Sequence, residues 1–270
     1  MARTANLGTA LVTGASAGIG ATYAAQLAER GYDLLLVARD GKRLEALGAK
    51  LTAKFDVKVE AFPADLANRA EVKRVEARLR ADETISLLVN NAGIGPKGPA
   101  LADDIDYLDQ MIDLNVSAAN RLAVAAAQTF AQRGKGGIIN IASAVAIMPE
   151  RFNGTYSGSK SFVLGQTLSL AAELEGKGVQ IQAVLPGFTR TEIFDRVGGS
   201  MDNLPQEMVM DVEDLVAAAL AGFDQGELIT IPSVEDKALL QAFEAARAAL
   251  GGHGSRNKPA SRYGVTKAAA

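Results

Sequence analysis

Tyr156 and Lys160 stand four residues apart, a spacing that puts both side chains on one helix face, one turn from each other. A neighbouring ammonium lowers a phenol's proton affinity, and such a phenol serves as acid in one direction of a reaction and base in the other. Standing alone, the pair would be an ordinary pair of surface neighbours. A second chemistry lies in TGASAGIG, Thr13 to Gly20, which follows an apolar run and precedes the good helix former ATYAAQLAER. Gly14 permits a tight turn, Gly18 lets backbone approach a phosphate, and Gly20 allows close helix packing. Backbone N–H groups along Gly14, Ser16, Ala17, Gly18, Ile19 and Gly20, with the positive end of the following helix, favour a pyrophosphate and hence a dinucleotide. A triphosphate-binding loop would need Lys then Ser or Thr after the last glycine, where Ala21 and Thr22 stand.

Positioning these groups requires a sheet. The runs Ala10–Thr13, Leu34–Val37, Val57–Phe62, Ile85–Val89, Gly137–Ile141, Val179–Leu185 and Leu228–Ile231 are mostly apolar on both sides, as expected of strands buried in a parallel sheet. Between them, helical periods near 18–30, 40–53, 68–80, 101–133, 155–175 and 211–222 supply crossovers, predicting an α/β doubly wound parallel sheet of the Rossmann type. At 270 residues, with no linker or repeat before residue 250, residues 1–250 read as one dinucleotide-binding and catalytic domain. Asp236 to Leu250 predicts an amphipathic terminal helix covering the domain edge. Residues 251–270 carry His253, Arg256, Lys258, Arg262 and Lys267 with few apolar side chains and read as a flexible tail.

Composition narrows the chemistry. Without cysteine and with a single histidine, the chain builds no disulfide, thiolate metal site, multi-histidine zinc site or catalytic triad elsewhere in the chain, so no metal is expected. A net charge of −3 offers no field for nucleic acid or anionic lipid. No apolar run reaches membrane-spanning length, and the opening residues read as a first strand rather than a targeting segment, which predicts a cytoplasmic protein without membrane partners.

The glycine loop with its TGxxxGxG spacing, NNAG at Asn90–Gly93, Ser143 after the fifth strand, YSGSK at Tyr156–Lys160 and PGFTRT after the sixth together resemble the short-chain dehydrogenase/reductase family over about residues 7 to 232. The resemblance implies that Ser143 holds a substrate oxygen and that Asn115, bending its helix, completes a proton relay with Lys160 and Tyr156. It implies that Asp65 and Leu66 face an adenine, that Asn91, Ala92 and Gly93 line the adenosine side, and that Pro186, Gly187, Thr189 and Thr191 hold a nicotinamide. Tyr156 and Lys160 then also touch the cofactor. For Asp65 a turn or cap role stands beside the binding one.

The end of the second strand separates the two nicotinamide dinucleotides. An acid there binds a ribose hydroxyl, whereas Ala38 is followed by Arg39, whose fork suits a 2′-phosphate, so NADP(H) is preferred and NAD(H) is the alternative. Asp40 lies beyond the acid position and reads as a helix cap. The resulting expectation is NADPH-dependent reduction of a ketone or aldehyde, reversibly an alcohol oxidation, with a 3-oxoacyl thioester among the apolar candidates. Phe188, Ile193, Phe194, Val197, Met201, Leu204 and Met208 are expected to form a lid wall, hinged at Gly198–Gly199, opposite Ile94, Pro96, Met148 and Phe152. A non-catalytic dinucleotide sensor on the same fold is the other reading, and it would tolerate loss of the tyrosine or lysine that this chain keeps. Ala-rich helices around 116–131 and 155–172 predict a homodimer or homotetramer.

Overall fold

A computed structural model describes residues 7–191 and 204–265. By contact the chain divides into two compact units, 1–233 and 234–270. The first holds seven parallel strands, β1 (Thr9–Thr13), β2 (Asp33–Ala38), β3 (Val59–Pro63), β4 (Ile85–Asn90), β5 (Gly136–Ile141), β6 (Val179–Val184) and β7 (Ile229–Thr230), in the order β3-β2-β1-β4-β5-β6-β7. The chain winds outward from β1 through β2 and β3, then returns past β1 to run through β4 to β7. A crevice opens at that reversal, beyond the carboxyl ends of β1 and β4. Both faces of every central strand are buried, which is why their sequences show runs rather than alternation. Ala10, Val12, Leu34 and Leu36 point to one side, packing with α1 (Gly18–Glu29), α2 (Gly41–Phe55) and α7 (Val212–Asp224). Leu11, Leu35, Val37 and Leu88 point to the other, against α3 (Arg69–Ala81), α5 (Ala119–Arg133) and α6 (Gly154–Leu174).

Polar side chains set the helix starts. Asp40 accepts from the Arg43 N–H at 3.1 Å to cap α2, the role its sequence position suggested. Asn68 caps α3, and Asn153 caps α6 by accepting from Thr155 and Tyr156 at 3.0 and 3.2 Å. The stretch expected as one helix over 101–133 is instead broken. A short 3-10 turn at Ala100–Ala102 gives way to α4 (Ile105–Ile112), capped by Asp104, and a π-helical turn over Asp113–Ala118 separates it from α5. The break has a local cause: Asn115 spends its amide on the backbone of Ile94, and a π-turn accommodates such an insertion.

Gly158 on α6 is exposed, and a Cβ there would meet nothing within 4 Å. Its helical position thus costs about 1 kcal/mol relative to alanine with no steric compensation. Gly158→Ala is expected to raise the thermal midpoint by about 2–4 °C; a fall would place another backbone against this face of α6.

The second unit contains α8 (Lys237–Gly251), capped by Asp236 and with no buried residue, followed by an exposed segment with one 3-10 turn at Ser261–Tyr263. No described helix is long and apolar enough to cross a membrane. Among the described residues no cluster of His, Asp or Glu could hold a metal.

Candidate active site

Because the strands are parallel, the residues that follow them arrive at one edge of the sheet. Gly14 follows β1, Arg39 follows β2, Asp65 follows β3, Asn91 follows β4, Ser143 follows β5 and Pro186 follows β6. Together they line a cleft of about 990 Å³. The reversal point is stitched by hydrogen bonds. Thr13 Oγ1 accepts from the N–H groups of Asn91 and Ala92 at 2.8 and 2.9 Å, and Asn91 Nδ2 donates to the Thr13 carbonyl at 2.8 Å.

Ser16, Ala17, Gly18 and Ile19 form one wall at the start of α1, whose N-cap, Ala17, supplies no side-chain acceptor. The first N–H groups of α1 are therefore left for an anion. Gly14 adopts φ +65° with its missing Cβ facing Asn91 and Ala92, and a Cβ on Gly20 would lie 2.4 Å from the Gly14 carbonyl. Gly20 itself lies behind the wall, which fits its reading as the position of close packing. On these observations, the bare backbone and the uncapped helix start, the residues fit a dinucleotide pyrophosphate.

At the β2 and β3 ends, Arg39 is exposed on the wall beside Ala38, while Asp40 is engaged with Arg43. Asp65 lines the cleft and also serves a turn, its carboxylate accepting from the Ala67 N–H at 3.0 Å. Leu66, Asn91, Ala92, Gly93, Pro186, Gly187, Thr189 and Thr191 all line the same space. Thr191 lies across from Gly18, and Thr189 is tied to Met210 by an isolated bridge.

Ser143, Tyr156 and Lys160 meet on the wall between β5 and α6. Lys160 is buried, donates from Nζ to the Ile141 carbonyl at 3.0 Å, and lies 5.8 Å from the centre of the Tyr156 ring. Ser143 also caps the 3-10 turn Ala144–Ala146, accepting from Val145 at 3.4 Å. Burial pushes the Tyr156 phenol up to about 12, while a hydrogen bond with Ser143 pulls the other way. The lowering expected from Lys160 is not seen among the protein's own groups: burial, which takes hydration from a phenolate, prevails. Burial also pushes Lys160 down to about 8.

Asn115 is not on the cleft wall. Its Oδ1 accepts from the Ile94 N–H at 2.9 Å, and its Nδ2 donates to the Ile94 carbonyl at 2.9 Å and to Ser159 Oγ at 3.3 Å. The side chain clamps the loop after β4 to α6 from behind. A Cβ on Gly93 would lie 3.0 Å from Asn115 Oδ1 and 3.6 Å from Lys160 Nζ, so the three pack together.

Of the expected apolar wall, Ile94, Pro96, Met148, Phe152, Phe188 and Met208 line the cleft, and Leu204 does not. Ile193, Phe194, Val197, Met201 and the Gly198–Gly199 pair lie outside the described residues. Sequence reasoning missed Arg43, Leu114, Ile141, Ala142 and Val145 on the wall. Ile141 and Ala142 were discoverable as the last residues before Ser143; Leu114, inside a presumed regular helix, carried no signal.

A doubly wound sheet with a glycine turn at its reversal point and a serine, tyrosine and lysine on the wall beyond it is the arrangement of nicotinamide-dependent oxidoreductases. Residues 8–201 match the short chain dehydrogenase family. The chain belongs to that family. A very-long-chain 3-oxoacyl-CoA reductase of Anas platyrhynchos is 34% identical over 189 residues, 68% of this chain and 60% of that protein, so the chain spans less than two thirds of this relative. Among solved structures, a short-chain dehydrogenase from Sphingobium yanoikuyae in complex with NADPH shares 45% identity over 95% of this chain and 100% of its own, with TM-score 0.91. A bulky-bulky ketone specific alcohol dehydrogenase from Comamonas testosteroni shares 42% identity over 96% and 99% of the two chains, with TM-score 0.88.

Proposed function

We propose that this protein is an NADPH-dependent carbonyl reductase that converts an apolar ketone or aldehyde to an alcohol and, in reverse, oxidises the alcohol. The observation that carries the reading is the meeting of Ser143, Tyr156 and Lys160 on one wall of the cleft whose other end is the glycine cradle. When bound, the reduced nicotinamide supplies a hydride to the carbonyl carbon. Tyr156 gives its proton to the carbonyl oxygen, Ser143 donates a hydrogen bond to the same oxygen, and Lys160 supplies positive charge beside the phenol as it loses that proton. Asn115 holds the Ile94 loop to α6, the helix that carries Lys160, and the relay expected of it completes the set of four. A phenol pushed up to about 12 stays protonated at neutral pH, so the acid needed for reduction is fully loaded.

Gly14 to Gly20 hold the pyrophosphate, Asp65, Leu66 and Asn91 to Gly93 the adenosine half, and Pro186 to Thr191 the nicotinamide half. The preference for NADPH rests on Arg39, which faces the cleft at the β2 end while no acid occupies position 38. The NADPH complex of the Sphingobium relative supports the same choice. The Comamonas relative's ketones with two bulky groups, and the Anas relative's 3-oxoacyl thioesters, mark the apolar substrate range to test. The same proposal includes residues 1–250 as the catalytic domain with a C-terminal tail, a homodimer or homotetramer, and a cytoplasmic location.

The test is NADPH oxidation over a panel of ketones graded by bulk. Turnover is expected, and cofactor binding without turnover of any ketone would overturn the reading. In the same assay Arg39→Asp is expected to cut the NADPH-over-NADH ratio of kcat/KM by at least about tenfold, since a charged hydrogen bond to phosphate is lost. An unchanged ratio removes Arg39 from cofactor selection.

A further inference from the structure

The charged side chains on the cleft wall, among the described residues, are Arg39, Asp40, Arg43, Asp65, Arg151 and Lys160. The first four follow β2 and β3, and Lys160 is engaged with the Ile141 carbonyl. Arg151 is the one charged wall residue on the segment between β5 and α6; Glu150, beside it in the chain, is exposed and not part of the wall, and the wall residues Met148, Phe152, Phe188 and Met208 are apolar. The Arg151 side chain makes no ion pair or hydrogen bond with any described residue.

Arg151 does not hang on a loose loop. It closes the 3-10 turn Pro149–Arg151, and the next residue, Phe152, packs edge-on against the Tyr156 ring with centroids 5.6 Å apart. Asn153 then donates to the Gly98 carbonyl at 2.9 Å while capping the helix that carries Tyr156. The turn therefore fixes the backbone of Arg151 at a set chain distance from the phenol, among apolar wall residues. A planar fork of donors in that setting matches a carboxylate in paired hydrogen bonds.

Building on the reductase reading, we propose that Arg151 is a specificity-determining residue that binds an anionic group on the outward end of the substrate, so that the cleft takes ketones with an apolar body and a terminal acid. The apolar body lies against Phe152 and Met208, both exposed large hydrophobic side chains at 42% and 55%. Burial of such surface drives binding, and the guanidinium sets the orientation that brings the carbonyl to Tyr156.

The probes are benzoylpropionate and its methyl ester, two ketones alike except for the charge. In NADPH-dependent reduction, Arg151→Met is expected to lower kcat/KM for the acid by about tenfold and to leave the ester within about twofold; Arg151→Lys should recover part of the loss. Added NaCl should raise KM for the acid alone. Equal effects on acid and ester, or none, overturn the proposal. Calorimetric titration with phenylbutyrate, which has no ketone, separates this from the reductase reading. With NADPH present, binding weakened about tenfold in Arg151→Met supports Arg151 even if neither ketone is turned over, whereas equal binding, or no binding to the unaltered protein, overturns it.

Discussion

Substituting Tyr156 with phenylalanine lowers kcat for ketone reduction by about a thousandfold and leaves NADPH affinity within about twofold. The change removes one oxygen and nothing else. The ring keeps its edge contact with Phe152, and the backbone N–H of residue 156 still reaches the Asn153 cap. Folding is thus preserved, and what disappears is the proton donor. Ser143 cannot replace it, because an aliphatic hydroxyl is far weaker as an acid than a phenol, and its own contacts to Val145 and Pro186 are long, at 3.4 Å each. Lys160 donates to the Ile141 carbonyl, and its Nζ lies 5.8 Å from the centre of the Tyr156 ring. Steady-state rates with a fluorescence titration of NADPH check the split between kcat and binding. A rate within tenfold of the original would remove Tyr156 from proton transfer.

Much of the scaffold behind that prediction was legible because its physics is local. Two-sided apolar runs belong in strands covered on both faces, which made β1, β2, β4 and β5 legible within short windows, whereas β3 is only partly buried and was placed by its position in the alternation of strands and helices. The glycine turn was legible because only a chain without Cβ atoms can pass Gly20 this close to the Gly14 carbonyl. What escaped depends on partners distant in sequence. The bend at Asn115 was expected from the resemblance, but nothing near residue 115 announces that its amide will grip Ile94, so the π-turn between α4 and α5 and the place of Asn115 behind the wall were not readable. The titration of Tyr156 escaped for a related reason. Spacing showed that Lys160 is near, but the cost of burying a phenolate depends on how much water the assembled cleft excludes.

Lys160→Met carries the other large effect and tests that electrostatic account by two routes. Methionine approximates the length and apolar stem of lysine while removing the ammonium, so packing is kept and charge is lost. In alcohol oxidation the phenol must shed its proton, and burial already opposes this. An adjacent cation moves a carboxyl or phenol by about 1–3 pH units, so its removal is expected to cut oxidation at neutral pH by about a hundredfold and to move the rising limb of the pH–rate profile upward. A profile that keeps its position would show that the lysine acts through cofactor contact alone. The stability of the protein should respond in the opposite sense. Lys160 titrates near 8 in the fold against 10.5 for an ordinary lysine. Between those values the unfolded chain binds the proton and the folded chain does not, so the contribution of Lys160 to stability rises with pH over this window and is lost as pH falls through 8. Tyr156 is raised instead, so its contribution holds below its ordinary value of 10.0 and leaves the range from 8 to 10 to the lysine. Denaturant unfolding across that range should therefore show the unaltered protein gaining on Lys160→Met, up to a limit on the order of 3 kcal/mol. At neutral pH the variant should match or exceed it, since the fold no longer has to bury a charge that donates to a backbone carbonyl rather than pairing with a carboxylate.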